Sequence, residues 1–394
     1  MTDSINIKTI ILLVDGIDEH VTQSRGVAKW IAELTGAEIL EAKIPELTGV
    51  IKIKAKRASR GLVSGSRRDA RDWLATASGD TLVRKIGHWF SERNIYEGSR
   101  EVLLISTGSD PAPYNLALGY IWRCACATIM TPEILGTNPF DFAIVPEYEF
   151  PERKSNIFVT LGAPNMLTKE KLTEKAVNLF EDYPPSTDKK WSVIIGGDDN
   201  NHVITSIWIK KNVGRLMRIA ELDGASLYIA VKGNISKEAN ETFRILISRA
   251  PSVQGFFIVS KDSENPLPAM MSFSDELFCT ENLLDIISES ITVGNRVILM
   301  RMDWKRGIKN IVQKTIAIMV SKGAIKQELL LGTSKFEILF SHLIRHNYIV
   351  EFGDWMRRRH ARLSSDEEDV IVLEEFNEAK RSAEWIVSNW NLLF

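Results

Sequence analysis

The stretch from Asn265 to Met302 constrains the fold more than any other part of the chain. Pro266 to Phe273 is expected to be a short helix and Glu276 to Thr280 a buried strand. Leu283 to Val293 should be a helix stopped by Gly294, and Arg296 to Met300 a second buried strand. Strand, tight turn, helix, strand is one βαβ unit, and strands covered on both faces read as such unbroken apolar runs. In open parallel sheets ligands sit outside the carboxyl ends of the strands. Thr280, Glu281 and Asn282 therefore fall where a phosphate or sugar would meet a helix N-terminus. Inside that helix Ser288, Glu289 and Ser290 interrupt the apolar run. Facing a cleft, a carboxylate flanked by hydroxyls would grip sugar hydroxyls; facing water, Glu289 is one polar residue on a half-exposed helix.

The same grammar recurs upstream. Thr9 to Val14 reads as a central parallel strand ending in Asp15-Gly16, and a loop through His20 and Gln23 leads into a helix from Ser24 to Leu34. No GxGxxG accompanies that loop. Glu101 to Thr107, Cys126 to Met130 and Phe140 to Pro146 are further strands. Thr168 would cap a helix from Lys169 to Phe180, and Glu181 to Lys190, polar with two prolines, is the expected linker. The pattern restarts at Trp191 to Ile195, which runs into Gly196-Gly197, where glycines would let the backbone approach a pyrophosphate. A helix over Ile207 to Leu222 and a strand over Ser226 to Val231 follow, then Lys232 and Ser236, a helix over Glu241 to Ser248 and a strand over Phe256 to Val259. Ile308 to Val320 also has helical spacing. Phe376, Ala379, Ala383, Ile386, Trp390 and Leu393 form one helical stripe. A chain of 394 residues suggests two domains: residues 1–165 and 185–375, each an α/β Rossmann-like unit, with 376–394 as a helix packing back on the first.

Charge directs attention to one segment. The net charge of −2 exerts no global pull on nucleic acid, and none is expected as a partner. Between Ile51 and Trp73, however, eight basic residues oppose two acidic ones. Such a patch would meet anionic lipid headgroups or a phosphorylated acceptor, each cation near an anionic surface adding about 1 kcal/mol, or else is a solvated loop. Gly61 to Gly65 reads as a strand running into Ser66, Arg67 and Arg68, an arginine pair suited to bidentate phosphate binding. Three cysteines, with a single residue between Cys124 and Cys126, give no disulfide framework and no zinc spacing, and His342 and His346 lack a third ligand. No metal site and no cofactor are expected. The N-terminus lacks the order of a signal peptide and no apolar window spans a bilayer, so the expected location is the cytoplasm, with peripheral contact at the inner membrane face through residues 51–73.

Two segments carry a resemblance. The order Ser274-Asp275, Leu277-Phe278, Thr280, Ser288-Glu289-Ser290, Gly294 and Arg296-Val297 is one. The other is Phe140, Asp141, Val145-Pro146-Glu147, Asn156, Thr160 and Gly162-Ala163-Pro164-Asn165 with Thr168. Together they resemble the mitochondrial fission "elongated mitochondria" family, whose bacterial relatives are treated as two-Rossmann (GT-B) glycosyltransferases. The resemblance implies two Rossmann-like domains facing a cleft with a C-terminal crossover helix, and a nucleotide-sugar donor. By the same resemblance Glu289 and Thr280, with Ser288, hold the donor; Gly196 and Gly197 admit its diphosphate, Lys232 offsets charge beside Ser236, and Arg67, Arg68 and Gln23 serve the acceptor side. Asn282, a candidate from its place at the strand end, departs from the family pattern, as Asn282, Leu283 and Asp285 stand where Asp, Ser and Ser are usual. Where the family has His and Asp this chain has Tyr148 and Glu149. A phenol of ordinary pKa near ~10 is no base at neutral pH, which leaves Glu147 and Glu149, on one face if extended, as the candidate catalytic carboxylates. The family's arginine loop is replaced by Lys232 to Ser236.

The function implied is transfer of a sugar from a nucleotide-sugar donor to a lipopolysaccharide-core or similar envelope glycan or lipid-linked acceptor. The alternative is a non-catalytic interaction protein on the same scaffold, since the plant branch of the family is associated with recruiting division machinery to mitochondria. An epimerase ranks third, as no His–carboxylate pair stands out in the sequence.

Overall fold

The computed structural model describes residues 7–149, 151–167, 169–259, 265–305, 336–362 and 376–393. The helix expected at Ile308 to Val320, the acidic run Asp366 to Asp369 and the cap at Thr168 lie outside the described residues. The chain divides into two compact units, Met1–Met166 with Asn377–Phe394, and Leu167–Phe376.

The first unit is built from β1 (Thr9–Val14), α1 (Asp18–Thr35), β2 (Glu38–Lys43), α2 (Gly49–Ala58), α3 (Arg67–Thr76), α4 (Asp80–Glu92), β3 (Val102–Thr107), α5 (Ala112–Trp122), β4 (Ala125–Ile129), β5 (Phe142–Pro146) and β6 (Ile157–Thr160). Its six strands are all parallel, in the order β2-β1-β3-β4-β5-β6. β1 and β3 are buried along their whole length, as unbroken apolar strands covered on both faces must be. The topology changes direction between β1 and β3, so their carboxyl ends flank the switch point of the sheet.

Three local expectations for this unit are corrected. Helix α1 starts at Asp18, so His20 and Gln23 sit in its first two turns rather than in a loop; acids at 18 and 19 favour that earlier start by complementing the helix dipole. Gly61 to Gly65 is no strand: Ser59–Ser64 is a 3-10 helix closed by Gly65 at φ +74°. With Leu62 buried and Val63 exposed, the segment has one apolar contact to make, and a short turn makes it. Glu147–Glu149 is likewise a 3-10 turn, not extended backbone. At three residues per turn, positions two apart point away from each other, so Glu147 and Glu149 do not share a face.

The second unit is built from α6 (Lys169–Asp182), β7 (Lys189–Gly196), β8 (His202–Val203), α7 (Ser206–Asp223), β9 (Ala225–Lys232), α8 (Lys237–Ile247), β10 (Val253–Val259), α9 (Leu267–Phe273), β11 (Glu276–Thr280), α10 (Leu284–Thr292), β12 (Val297–Met300), β13 (Asp303–Trp304), α11 (Phe336–Arg345), β14 (Ile349–Glu351) and α12 (Phe352–Arg362). Its main sheet is parallel in the order β10-β9-β7-β11-β12-β14, with β8 and β13 forming a separate antiparallel pair. This is the doubly wound Rossmann order, and its switch point lies between β7 and β11. The chain thus consists of two Rossmann-like α/β units.

The stretch Glu181 to Lys190 lies inside the second unit, not between the two: its first residues close α6 and its last open β7. Tyr183 anchors it, accepting the Tyr228 hydroxyl on its carbonyl at 2.9 Å and meeting Phe257 edge-on at 4.9 Å. The division falls at Met166, just after the Gly162 to Asn165 turn. In α12, Arg359 is largely covered and grips Asp223 through two nitrogens.

Past the second unit, α13 (Glu378–Asn389) rejoins the first and packs along α1, with Ala379, Ala383, Ile386 and Trp390 fully buried. Phe142 stacks on Trp390 at 6.1 Å and meets Trp385 edge-on at 5.4 Å. Asn377 caps α13 by accepting the Lys380 N–H. The apolar stripe read from the sequence is divided at its first member: Phe376 packs on Tyr348 of the second unit at 5.0 Å. No helix among the described residues is long and apolar enough to cross a membrane.

Candidate functional site

In the second unit, the carboxyl ends of β7, β9 and β11 converge. Gly196, the last residue of β7, donates its N–H to Thr280 Oγ1 at 2.7 Å across the switch point. Thr280 Oγ1 donates onward to Asn282 Oδ1 at 2.9 Å, and Asn282 Nδ2 donates to Gly197 O at 2.9 Å. Gly197 N–H is held by Lys232 O at 2.8 Å, and Asp198 N–H by Asn234 O at 2.8 Å. Gly196, Gly197, Lys232, Thr280 and Asn282, singled out separately in the sequence, are therefore one hydrogen-bonded cluster at the place where such a sheet takes a ligand.

The cluster also shows what the glycines are for. A Cβ on Gly196 would lie 2.1 Å from Asn282 Oδ1, and one on Gly197 would lie 2.5 Å from the backbone N of Asn234. Neither glycine needs a positive φ; each is required by the close approach of the protein's own atoms. The expectation that they leave room for a diphosphate is corrected to that extent, because Asn282 and the 233–234 backbone fill the space beside them. The Lys232 ammonium pairs with Asp285, in the first turn of α10. An acid there already complements the positive end of the helix. The charge Lys232 was expected to offer a ligand is thus met internally.

Ser236 is the N-cap of α8, accepting the Ala239 N–H at 3.1 Å, so its hydroxyl serves the helix rather than standing free. The triplet Ser288-Glu289-Ser290 is split by helix geometry. Ser288 and Ser290 are buried against the core while Glu289 is half-buried, so the carboxylate is not flanked by ligand-facing hydroxyls. Glu289 follows Asp285 by one turn and lies on the same helix face. Glu281 beside the site is committed elsewhere: its carboxylate accepts the Met302 N–H and an Arg301 nitrogen, both at 2.7 Å. Arg301 also meets Glu337 and Glu351, and these carboxylates hold its guanidinium above the ordinary value against the opposing effect of burial.

A further pair lies in the loop after Gly197. Burial alone would raise the Asp199 carboxyl, but hydrogen bonds from the His202 ring and from the backbone N–H groups of Asn201 and His202 overcome it and lower it to about 2. Burial likewise disfavours protonated His202, yet Asp199 and the charge of Glu281 raise its pKa above the ordinary histidine value.

In the first unit, the carboxyl edge of the sheet holds a cavity of about 270 Å³ lined in part by Asp15, Lys52, Trp73, Ser109, Tyr114 and Ile134. At its β1 end lies a pair the sequence reading missed. His20 Nδ1 sits 2.7 Å from Asp15 Oδ2, and the ring packs on Gly108, whose missing side chain makes the room: a Cβ there would be 2.6 Å from the imidazole. A carboxylate-oriented imidazole at a strand end is the arrangement of a general base. The available signal was spacing, since Asp15 ends a buried strand and His20 lies in the first turn of the next helix, but an assumed loop at 17–23 hid it. Gln23, one turn on, has a buried Oε1 with no hydrogen-bond partner among the described residues.

The other acceptor-side candidates are dispersed. Glu149 Oε2 accepts the Thr131 N–H at 2.9 Å, which ties it to the loop after β4, and Glu147 precedes it at the end of β5. Tyr148 between them is pushed above the ordinary tyrosine value by burial and by Glu149 and Glu19. Arg67 is the first residue of α3, and its guanidinium is engaged bidentately by Glu97 at 2.7 Å. The bidentate phosphate site expected of Arg67 and Arg68 is therefore not formed: the first arginine already has a carboxylate, and only Arg68 is exposed.

A family model described as Mitochondrial fission ELM1 matches residues 20–390. Among solved structures, the chain is similar to a UDP-GlcNAc 2-epimerase from Neisseria meningitidis, at 14% identity and TM-score 0.44, over 98% of this chain and 100% of that one. It is similar also to a UDP-glucosyltransferase from Polygonum tinctorium, at 10% identity and TM-score 0.43, over 98% of both chains. A glycosyltransferase from Rickettsia africae matches at 11% identity and TM-score 0.39, over 92% of this chain and 98% of that one. No curated protein matches the chain.

Proposed function

The chain belongs to the Mitochondrial fission ELM1 family, and from that premise we propose that it transfers a sugar from a nucleotide-sugar donor to a cell-envelope glycan or lipid-linked acceptor. The observation that carries the reading is the convergence of Gly196, Thr280 and Asn282 at the β7–β11 switch point. In this reading the donor nucleotide lies across that cluster, with Thr280 and Glu289 as its contacts. Lys232 turns from Asp285 to the diphosphate as the donor binds. In the first unit His20, oriented by Asp15, accepts the proton of the attacking hydroxyl, while Glu147, Arg68 and Gln23 position the acceptor. The chemistry asked of the protein is positioning and stabilisation of the departing diphosphate.

Thermal-shift measurements with nucleoside diphosphates and their sugars test the donor half. Stabilisation by one nucleotide class that Glu289→Ala abolishes supports the reading, and a flat response across the panel ends it. A second reading, a non-catalytic interaction protein, is favoured by one specific feature: the Lys232–Asp285 pair and the Asn282 plug leave the donor end electrically and sterically satisfied without a ligand. Nucleotide-sugar turnover separates the two, because a protein that binds no donor and releases no diphosphate fits only the second.

A further inference from the structure

Helix α2 packs in an unusual way for a helix on a globular unit: of its ten residues only Ala55 is buried. One side of it is fastened to the first unit. Ala55 O accepts the Trp73 indole N–H at 2.9 Å, Lys52 pairs with Asp110 at 2.7 Å, and Lys56 pairs with Glu133 at 2.7 Å. At 3.6 residues per turn, Val50, Ile53, Lys54 and Arg57 (positions i, i+3, i+4 and i+7) form a single stripe on the side opposite Ala55. Val50 is 67% and Ile53 54% exposed, and Lys54 and Arg57 are exposed with no ion pair among the described residues. The 3-10 turn that follows adds an exposed Val63 and Arg60.

We propose that this outward stripe of α2 is a docking surface for an anionic lipid bilayer. The fold itself divides the basic segment: Lys52, Lys56 and Arg67 are paired with acids of the first unit, while Lys54, Arg57 and Arg60 have no ion pair among the described residues. Charge complementarity selects an anionic partner. The interleaving of branched aliphatic side chains with long cationic ones selects a bilayer over an acidic protein segment, because the aliphatic groups enter the headgroup boundary while the cations extend to the phosphates. The surface does not depend on the sugar-transfer reading, and its test involves no sugar.

The test is co-sedimentation of the full chain with vesicles of phosphatidylcholine alone and of phosphatidylcholine mixed with phosphatidylglycerol. Binding is expected to the mixed vesicles only and to fall steeply as salt rises. With each cation at an anionic surface contributing roughly a fivefold factor, Lys54→Gln/Arg57→Gln should weaken partitioning roughly thirtyfold. Val50→Ser/Ile53→Ser should weaken it at unchanged charge. Lys210→Gln/Lys211→Gln, which removes the same charge from exposed positions in the second unit, should leave it intact. The altered side chains are exposed, and an unchanged far-UV circular dichroism spectrum confirms that loss of binding is not loss of fold. Absence of binding to mixed vesicles overturns the proposal. So does equal weakening by the second-unit control, or insensitivity to Val50→Ser/Ile53→Ser, either of which reduces the effect to diffuse electrostatics. Binding to poly-glutamate but not to vesicles, lost in the α2 variants, overturns it in favour of an acidic protein partner.

Discussion

Gly196→Ala tests whether the switch-point glycines are required by internal packing. The added methyl would start 2.1 Å from Asn282 Oδ1, so Asn282 must leave its place, breaking its bonds to Thr280 Oγ1 and Gly197 O, both 2.9 Å. Two hydrogen bonds at about 1 kcal/mol each, with residual crowding of about 1 kcal/mol, give a loss of about 3 kcal/mol. In an Asn282→Ala background the obstacle is gone and those bonds are already absent, so the same substitution should cost less than about 1 kcal/mol, a coupling of about 2 kcal/mol. Gly197 supplies the contrast. Its neighbours are backbone atoms of Asn234 and Gly233, so Gly197→Ala should cost the same with or without Asn282. Hydrogen exchange of peptides covering β7 and β11 reads the second unit locally and avoids treating two units as one transition. Additive costs for Gly196→Ala and Asn282→Ala, within about 0.5 kcal/mol, would refute the argument.

Other outcomes follow from the same geometry. If a nucleoside diphosphate binds beside Lys232, Asp285→Ala removes the competing anion and should tighten binding roughly tenfold by titration calorimetry; weaker binding would show that Asp285 orients the lysine rather than competing for it. His202 has a raised pKa in the folded chain, so its contribution to stability is complete below about pH 6.5 and is lost as pH rises through the folded value; Asp199 contributes above about pH 4 and loses its contribution as pH falls toward 2. Denaturant midpoints should therefore decline on the alkaline side, and His202→Asn should flatten that decline. Trp390→Ala should destabilise the first unit by about 3–5 kcal/mol, seen as faster exchange in β5 and α1, with β7 and β9 unchanged. Arg67→Ala removes a partly exposed ion pair worth at most about 1 kcal/mol and should leave ligand binding untouched, whereas a large loss of affinity would reinstate Arg67 as an anion contact.

The βαβ segment was legible because a buried parallel strand has to be apolar throughout: Glu276–Thr280 and Val297–Met300 follow directly from their residue types. The same holds for β1 and β3. The segments misread are those whose conformation is decided by one contact rather than by periodicity. Gly61 to Gly65 turns on Leu62, the Glu147 to Glu149 turn on a Thr131 N–H, and the stretch after α6 on Tyr183. At the candidate site, the positions of Thr280, Asn282 and the glycines could be read from strand ends. That Asn282 sits on Gly196, or that Asp285 meets Lys232 from 53 residues away, could not, since such pairings are set by sheet order. His20 escaped for a related reason: its partner was in view at Asp15, but a helix starting six residues earlier than supposed was needed to bring them together.

Helix α13 completes the hydrophobic interior around α1 and β5, yet it is encoded after the whole of the second unit. During synthesis the ribosome therefore delivers residues 167–376 as an uninterrupted stretch able to mature first. The earlier half waits with an apolar groove along α1 open to water until Ala379, Ala383, Ile386 and Trp390 emerge. A nascent chain arrested before that point should be the form that holdase chaperones retain.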